Sequence, residues 1–227
     1  MNSLSDNQVS LYEEPVQEKI RKFIKIEFLL NKIYYFKSKD NKSENYVALL
    51  ALCELYEILS RSDIKSELIR EIETQNSYFQ KIKEIPQTDS NKLNSVLEKQ
   101  NLLLKLIYNV ESNYLDYLEH DILFKTILKN CFTQLQPASI DFWLSRDILI
   151  RETQIDLWLE PLIFIKRSID FILEVIRKSG RFEDRMAEKG FFIEKLDAKR
   201  NILLIRVTLT SDLYYYPQIS VGKQRLT

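Results

Sequence analysis

No glycine occurs in this chain of 227 residues before Gly180, and the three it has, Gly180, Gly190 and Gly222, fall in the last quarter. Glycine supplies the positive-φ corners of tight hairpins, so a long stretch without it favours helices joined by short capped turns. Beyond Gly180 the apolar pattern changes from a helical period to alternation. The expected class is therefore α+β, a mainly helical bundle with a small antiparallel sheet. The expected organisation is an N-terminal strand segment over residues 1–15 that joins the β domain, a helical domain over 16–180 and a β domain over 181–227.

Pro15 suits the first turn of a helix, and Glu13 and Glu14 would meet the positive end of its dipole. Apolar residues from Val16 to Ile33 cover more than one stripe, so this helix is expected to be buried on two sides. A second helix over Tyr46 to Leu59 leads to Ser60 and Asp63, which have capping-box spacing for a third. In that third helix Ile64, Leu68, Ile72, Phe79 and Ile82 recur until Pro86. Val96, Leu103, Ile107, Val110, Tyr114 and Tyr117 predict the longest helix, with a heptad-like seam interrupted by Gln100 and packed in an antiparallel bundle. Phe124, Ile127 and Leu128 form a shorter helix. Pro137 precedes Ile140–Leu144, and the final helix runs from about Ile155 to Ser179 with Pro161 near its start.

The runs Gly190–Glu194 and Ile202–Thr210 read as strands of a hairpin joined by Leu196–Arg200. Leu203, Ile205, Val207 and Leu209 alternate with Arg206. A sheet of fewer than three strands is marginal, so Val9–Tyr12 is expected to add one from the other end of the chain. In the closing segment Tyr216–Arg225, Pro217 fixes a turn, and a bulge at Gly222 would turn Lys223 and Arg225 away from the apolar face. A basic pair so placed suggests a carboxylate-bearing partner.

Charge and chemistry exclude several classes. Lys and Arg number 33 against 33 Asp and Glu, so bulk electrostatics favour neither nucleic acid nor a membrane surface. Residues 181–227 are locally basic, with nine bases against six acids. Arg61 and Lys65 stand at a helix start, where the dipole disfavours them, which hints at an external partner. His120 and Asp121 form at most half an acid–base pair and lack a nucleophile setting. Glu27, inside the most apolar helix, reads as a structural ion pair. Cys53 and Cys131 read as buried thiols, and neither cofactor nor metal spacing is found. The N-terminus lacks the features of a secretory signal and no run is long enough to span a bilayer, so a cytoplasmic protein is expected, and the lack of a catalytic setting makes a non-enzymatic one the expectation.

Tyr12-Glu13-Glu14-Pro15-Val16-Gln17-Glu18-Lys19-Ile20-Arg21, continued by Ile26-Glu27-Phe28-Leu29, resembles the opening of the bacterial ZapD cell-division family, and Tyr216-Pro217-Gln218-Ile219-Ser220 resembles its C-terminal signature. Ser66-Glu67-Leu68, Trp158-Leu159, Pro161-Leu162, Ile176-Arg177-Lys178-Ser179 and Gly190-Phe191 fit in order between them. The resemblance implies a helical domain joined to a curved β domain, a homodimer, and binding to the C-terminal tail of FtsZ, whose protofilaments the dimer crosslinks and bundles at mid-cell. Carried over, the tail-binding residues are Arg225 with Lys223, and Arg61; Lys65 and Arg206 are added on proximity in sequence or face. The family continues past the signature into further sheet residues with another arginine, so an edge strand and part of the pocket are expected to be missing here. A Gly-Gly loop of many members is replaced by Thr133-Gln134-Leu135-Gln136-Pro137. The alternative reading is a general helical scaffold dimer with a different protein partner.

Overall fold

The computed structural model describes residues 9–83, 85, 89–131, 138–196, 201–210, 215–222 and 225–227. The architecture is α+β and mainly helical, and it divides into two units, Met1–Ile24 with Leu173–Thr227, and Lys25–Ile172. Helices α1 (Glu18–Phe36) and α9 (Ile163–Ser179) each run through the division.

The larger unit contains α2 (Lys42–Ser60), α3 (Ile64–Lys83), α4 (Ser90–Tyr108), α5 (Asp116–His120), α6 (Ile122–Asn130), α7 (Ala138–Ser145) and α8 (Ile148–Leu159). Short polar side chains, in place of glycines, begin most of these helices. Asn41, Asp89, Asp121 and Asp147 accept from the backbone N–H groups of Ser43, Lys92, Phe124 and Leu149 at 2.8, 3.2, 2.8 and 2.9 Å. Each satisfies a donor that the helix itself cannot. Fully buried Asn45 closes the other end of α1, its amide donating to the carbonyls of Phe36, Lys37 and Lys39 at 2.9–3.2 Å. An aromatic cluster fills the core: Trp158 lies 5.2 Å from Phe124 and 6.4 Å from Trp143 between ring centroids. Its indole N–H donates to Asp121 at 2.9 Å, so one carboxylate both caps α6 and satisfies the buried ring. Cys53 and Cys131 are buried free thiols.

Several expected boundaries move, each for a local reason. The α3 cap is Asp63, whose carboxylate accepts from Ser66 N–H at 3.2 Å, whereas the Ser60 hydroxyl donates back to Glu57 O at 3.2 Å. The fourth helix stops at Tyr108, with Asn109 as its C-cap, so Val110, Tyr114 and Tyr117 do not belong to it. Asn109, Ser112 and Asn113 carry side chains that compete with helical hydrogen bonds, and Asn113 bonds Asp116 at 3.1 Å instead. The buried line of α4 is Leu93, Leu97, Gln100 and Ile107, so Gln100 lies in the seam, which packs on α3. The final helix is two: α8 starts at Ile148 under the Asp147 cap, and Pro161 sits in a 3₁₀ turn, Glu160–Leu162, that separates it from α9. Pro86, Pro137 and the 133–137 segment lie outside the described residues.

The smaller unit holds β1 (Val9–Pro15), β2 (Glu194–Lys195), β3 (Leu204–Thr210) and β4 (Arg225–Leu226). Strand β1 pairs antiparallel with β3 from Val9↔Thr210 to Pro15↔Leu204, and β2 pairs with β4. The N-terminal strand thus supplies the partner of β3, and no β2–β3 hairpin pairing occurs among the described residues; its expected connection, 197–200, lies outside them. Before β2, Lys189 and Gly190 have φ of 52° and 79°, and Phe191 N–H donates to Glu188 O at 3.0 Å. Two successive positive φ values define a tight turn that Gly190 accommodates without strain.

Glu13 on β1 joins these elements. It accepts from Arg177 of α9, from Nη2 at 2.8 Å and from Nε at 3.0 Å, and its other neighbour is Arg206, its register partner on β3, at 3.2 Å. Arg206 Nε is not aligned for a hydrogen bond, so Arg177 makes the stronger, bidentate contact. Arg206 Nη1 donates to Arg177 O at 3.0 Å, and its guanidinium lies 5.1 Å from the Phe182 ring centroid. Removing a half-buried carboxylate that serves two arginines costs about 2 kcal/mol. Glu13→Ala is expected to lower the unfolding free energy by that amount, read as a lower urea midpoint with an unchanged m-value; an unchanged midpoint would show that the cluster contributes nothing.

Candidate functional site: exposed cations on two surfaces

Arg225 is placed by a chain reversal, not by the expected bulge. Gly222 N–H donates to Arg225 O at 2.8 Å, and Ser220 and Thr227 exchange backbone hydrogen bonds of 2.8 and 2.9 Å, so the segment folds back on itself. Lys223 lies outside the described residues. The register then sets Arg225 directly opposite Lys195 of β2, both exposed. Directly opposed residues have Cβ atoms roughly 4.5–5.5 Å apart, and like charges there repel. An anion held between them removes that cost. Among the described residues neither cation has a carboxylate partner. Lys195 is the residue that sequence reasoning missed as a site member, because β2 was assigned to a hairpin with β3; only the pairing with β4 brings it to Arg225.

Arg206 is committed elsewhere, to Glu13, the Arg177 carbonyl and the Phe182 ring. In the larger unit, Arg61 and Lys65 share an open groove of about 710 Å³ whose lining includes Asp63, Tyr114, Asp116 and Glu119. Arg61 is exposed, with Nη2 3.7 Å from Glu57. It is the C-cap of α2, where the dipole favours a cation, so its position needs no external partner to explain it. Lys65 donates to Val110 O, pinning the turn after α4. With three carboxylates against two cations, the groove is not a basic pocket.

The remaining titratable groups are structural. Burial, reinforced by the Asp63 charge, pushes Tyr114 up to about 12, and burial with a 2.8 Å hydrogen bond to Glu119 does the same for Tyr56. Neither transfers protons near neutrality. His120 ends α5, exposed, its Nδ1 2.6 Å from Asp116 O, while Asp121 is occupied by the α6 cap and Trp158. Glu27 is only half-buried. No cluster among the described residues could hold a metal ion.

These features define a mixed helical and β protein whose candidate surfaces are solvent-facing cations, not an enclosed reactive cavity. The chain belongs to the ZapD family: the family model, described as ZapD, cell division protein, matches residues 24–227. It is 27% identical over 220 residues to the cell division protein ZapD of Azoarcus sp., covering 95% of this chain and 87% of that one. The ZapD proteins of Methylococcus capsulatus and Pectobacterium carotovorum are 28% and 29% identical, over 97% and 95% of this chain and 88% and 86% of theirs. The protein therefore has a role in cell division. No helix of the described residues is long and apolar enough to cross a membrane.

Hydrogen bonds from Ser66 hold the Asp63 carboxyl below its ordinary value of 3.8. A lowered native pKa means stability that is full above the ordinary value and is lost as the pH falls through the native one. Asp63→Ala is expected to cost about 1 kcal/mol at neutral pH. Asp63→Asn, which keeps an acceptor, should be near neutral at pH 7 and lose less stability on acidification than the wild type; equal acid sensitivity would remove Asp63 from the account.

Proposed function

We propose that this protein binds the acidic C-terminal tail of FtsZ and, as a homodimer, crosslinks FtsZ protofilaments at the mid-cell division site. The supporting observation is the Lys195–Arg225 pair, without a carboxylate partner among the described residues, which suits a partner carboxylate because guanidinium presents a planar, bidentate fork. Lys223 borders this pair in sequence. Arg61 supplies a second, exposed cation, and Lys65 and Arg206 contribute through the backbone and Glu13 contacts that fix their surroundings. A dimer presents two such sites, so a weak single contact gains strength along a polymer through effective concentration. Family membership over nearly the whole chain supports the cell-division setting.

The test is co-sedimentation with GTP-assembled FtsZ, with and without its C-terminal tail, at two salt concentrations. Tail-dependent pelleting that weakens with salt is expected. Arg225→Glu and Lys195→Glu should each weaken binding at least about tenfold, ~1.4 kcal/mol, with unchanged thermal unfolding. Pelleting that ignores tail, salt and both substitutions would reject the electrostatic reading.

A further inference from the structure

The buried stripe of α8 begins with a charge. Arg151, Ile155, Trp158 and Leu159 form the buried face of this helix, so an arginine takes a position that the pattern reserves for an apolar side chain. Arg151 is only 4% exposed, and arginine is rarely enclosed to that degree without a partner. Its Nη1 donates to Leu144 O of α7 at 3.1 Å, whereas Nε is sealed from solvent with no acceptor. No carboxylate pairs with it among the described residues. The two acids nearest in sequence are engaged elsewhere: Asp147 caps α8 through Leu149 N–H at 2.9 Å, and Glu152 faces Lys37 at 3.7 Å. Trp143, next to Leu144 on α7 and 1% exposed, is a second enclosed donor whose indole N–H has no acceptor.

We infer that Arg151 anchors a binding site for a small oxyanion where α7 meets α8, held by the Nε–Nη2 edge of its guanidinium. The Leu144 carbonyl fixes the plane of the group but, being a neutral dipole, leaves the buried charge uncompensated. The Nε–Nη2 edge remains without an acceptor, and its two parallel N–H groups match the paired oxygens of a phosphate or a carboxylate. A water molecule accepts one of these bonds without neutralising the guanidinium, so an anion alone answers both needs. Enclosure also limits the size of the occupant. It selects a free ion over a side chain carried on the surface of a folded partner.

The site lies in the larger unit and does not depend on the FtsZ-tail reading. The probes are sodium phosphate and sodium acetate, each added to the full chain at an ionic strength held constant with chloride. Binding is read by thermal unfolding and by intrinsic fluorescence, since Trp143 adjoins Leu144 and the chain has only two tryptophans. At least one of the two ions is expected to raise the unfolding temperature and shift the emission with saturation in the millimolar range, as linkage to a single site requires. General exclusion of phosphate from protein surfaces gives instead a rise that does not saturate. The apparent Kd should increase at least tenfold in Arg151→Met, and also in Arg151→Lys, which keeps the charge but lacks the fork. A response to phosphate alone assigns a phosphate ligand, to acetate alone a carboxylate, and to both an oxyanion recognised through the two oxygens they share. No saturating response to either ion, or one undiminished in either variant with wild-type circular dichroism, would overturn the assignment.

Discussion

One carboxylate, that of Glu13, holds the smaller unit in its arrangement. It lies on the N-terminal strand and engages a guanidinium from α9 and another from β3, segments that are far apart in the chain. A two-stranded sheet gains little from its own hydrogen bonds, and β1 and β3 contain no fully buried residue. The ionic cluster and the helix beneath therefore supply what the ladder cannot. The result explains why Arg206, an apparently free basic residue on a strand, is half-buried and engaged on three sides.

The larger unit solves a different problem with a different device. Its helices turn corners without glycine by placing Asp or Asn at the N-termini of α2, α3, α4, α6 and α8, and such a residue can also satisfy a buried donor nearby. Asp121 is the clearest case, because capping α6 and accepting the Trp158 indole are one placement. A sequence reader meets His120-Asp121 as a hint of acid–base chemistry; the structure uses Asp121 as scaffolding.

What could be read from the sequence follows from how local each signal is. Helix periodicity and the switch after Gly180 are local, so the class and the recruitment of Val9–Tyr12 were legible. The phase of α4 was not: Gln100 looks like an interruption until Leu93 and Leu97 establish the buried line. Strand partners were legible only in part, since alternation marks a strand without saying what it pairs with, and this hid Lys195 beside Arg225. Arg61 shows the opposite error. Its neighbours suggested a helix start, but one residue of boundary shift makes it the stabilised end of the preceding helix.

The pairing of Val9 with Thr210 has a consequence for how the protein is made. During synthesis the first strand emerges early and waits, unpaired, until nearly all of the chain has followed it. The helices of Lys25–Ile172 depend on nearer contacts and are free to condense first. The closing step is then the pairing of β1 with β3, with most of the loop-closure entropy already removed by the helices between them in sequence. Because β4 follows β3 in the chain, a chain cut before Arg225 would keep the β1–β3 pairing and lose the Lys195–Arg225 surface, so that surface is among the last features to form.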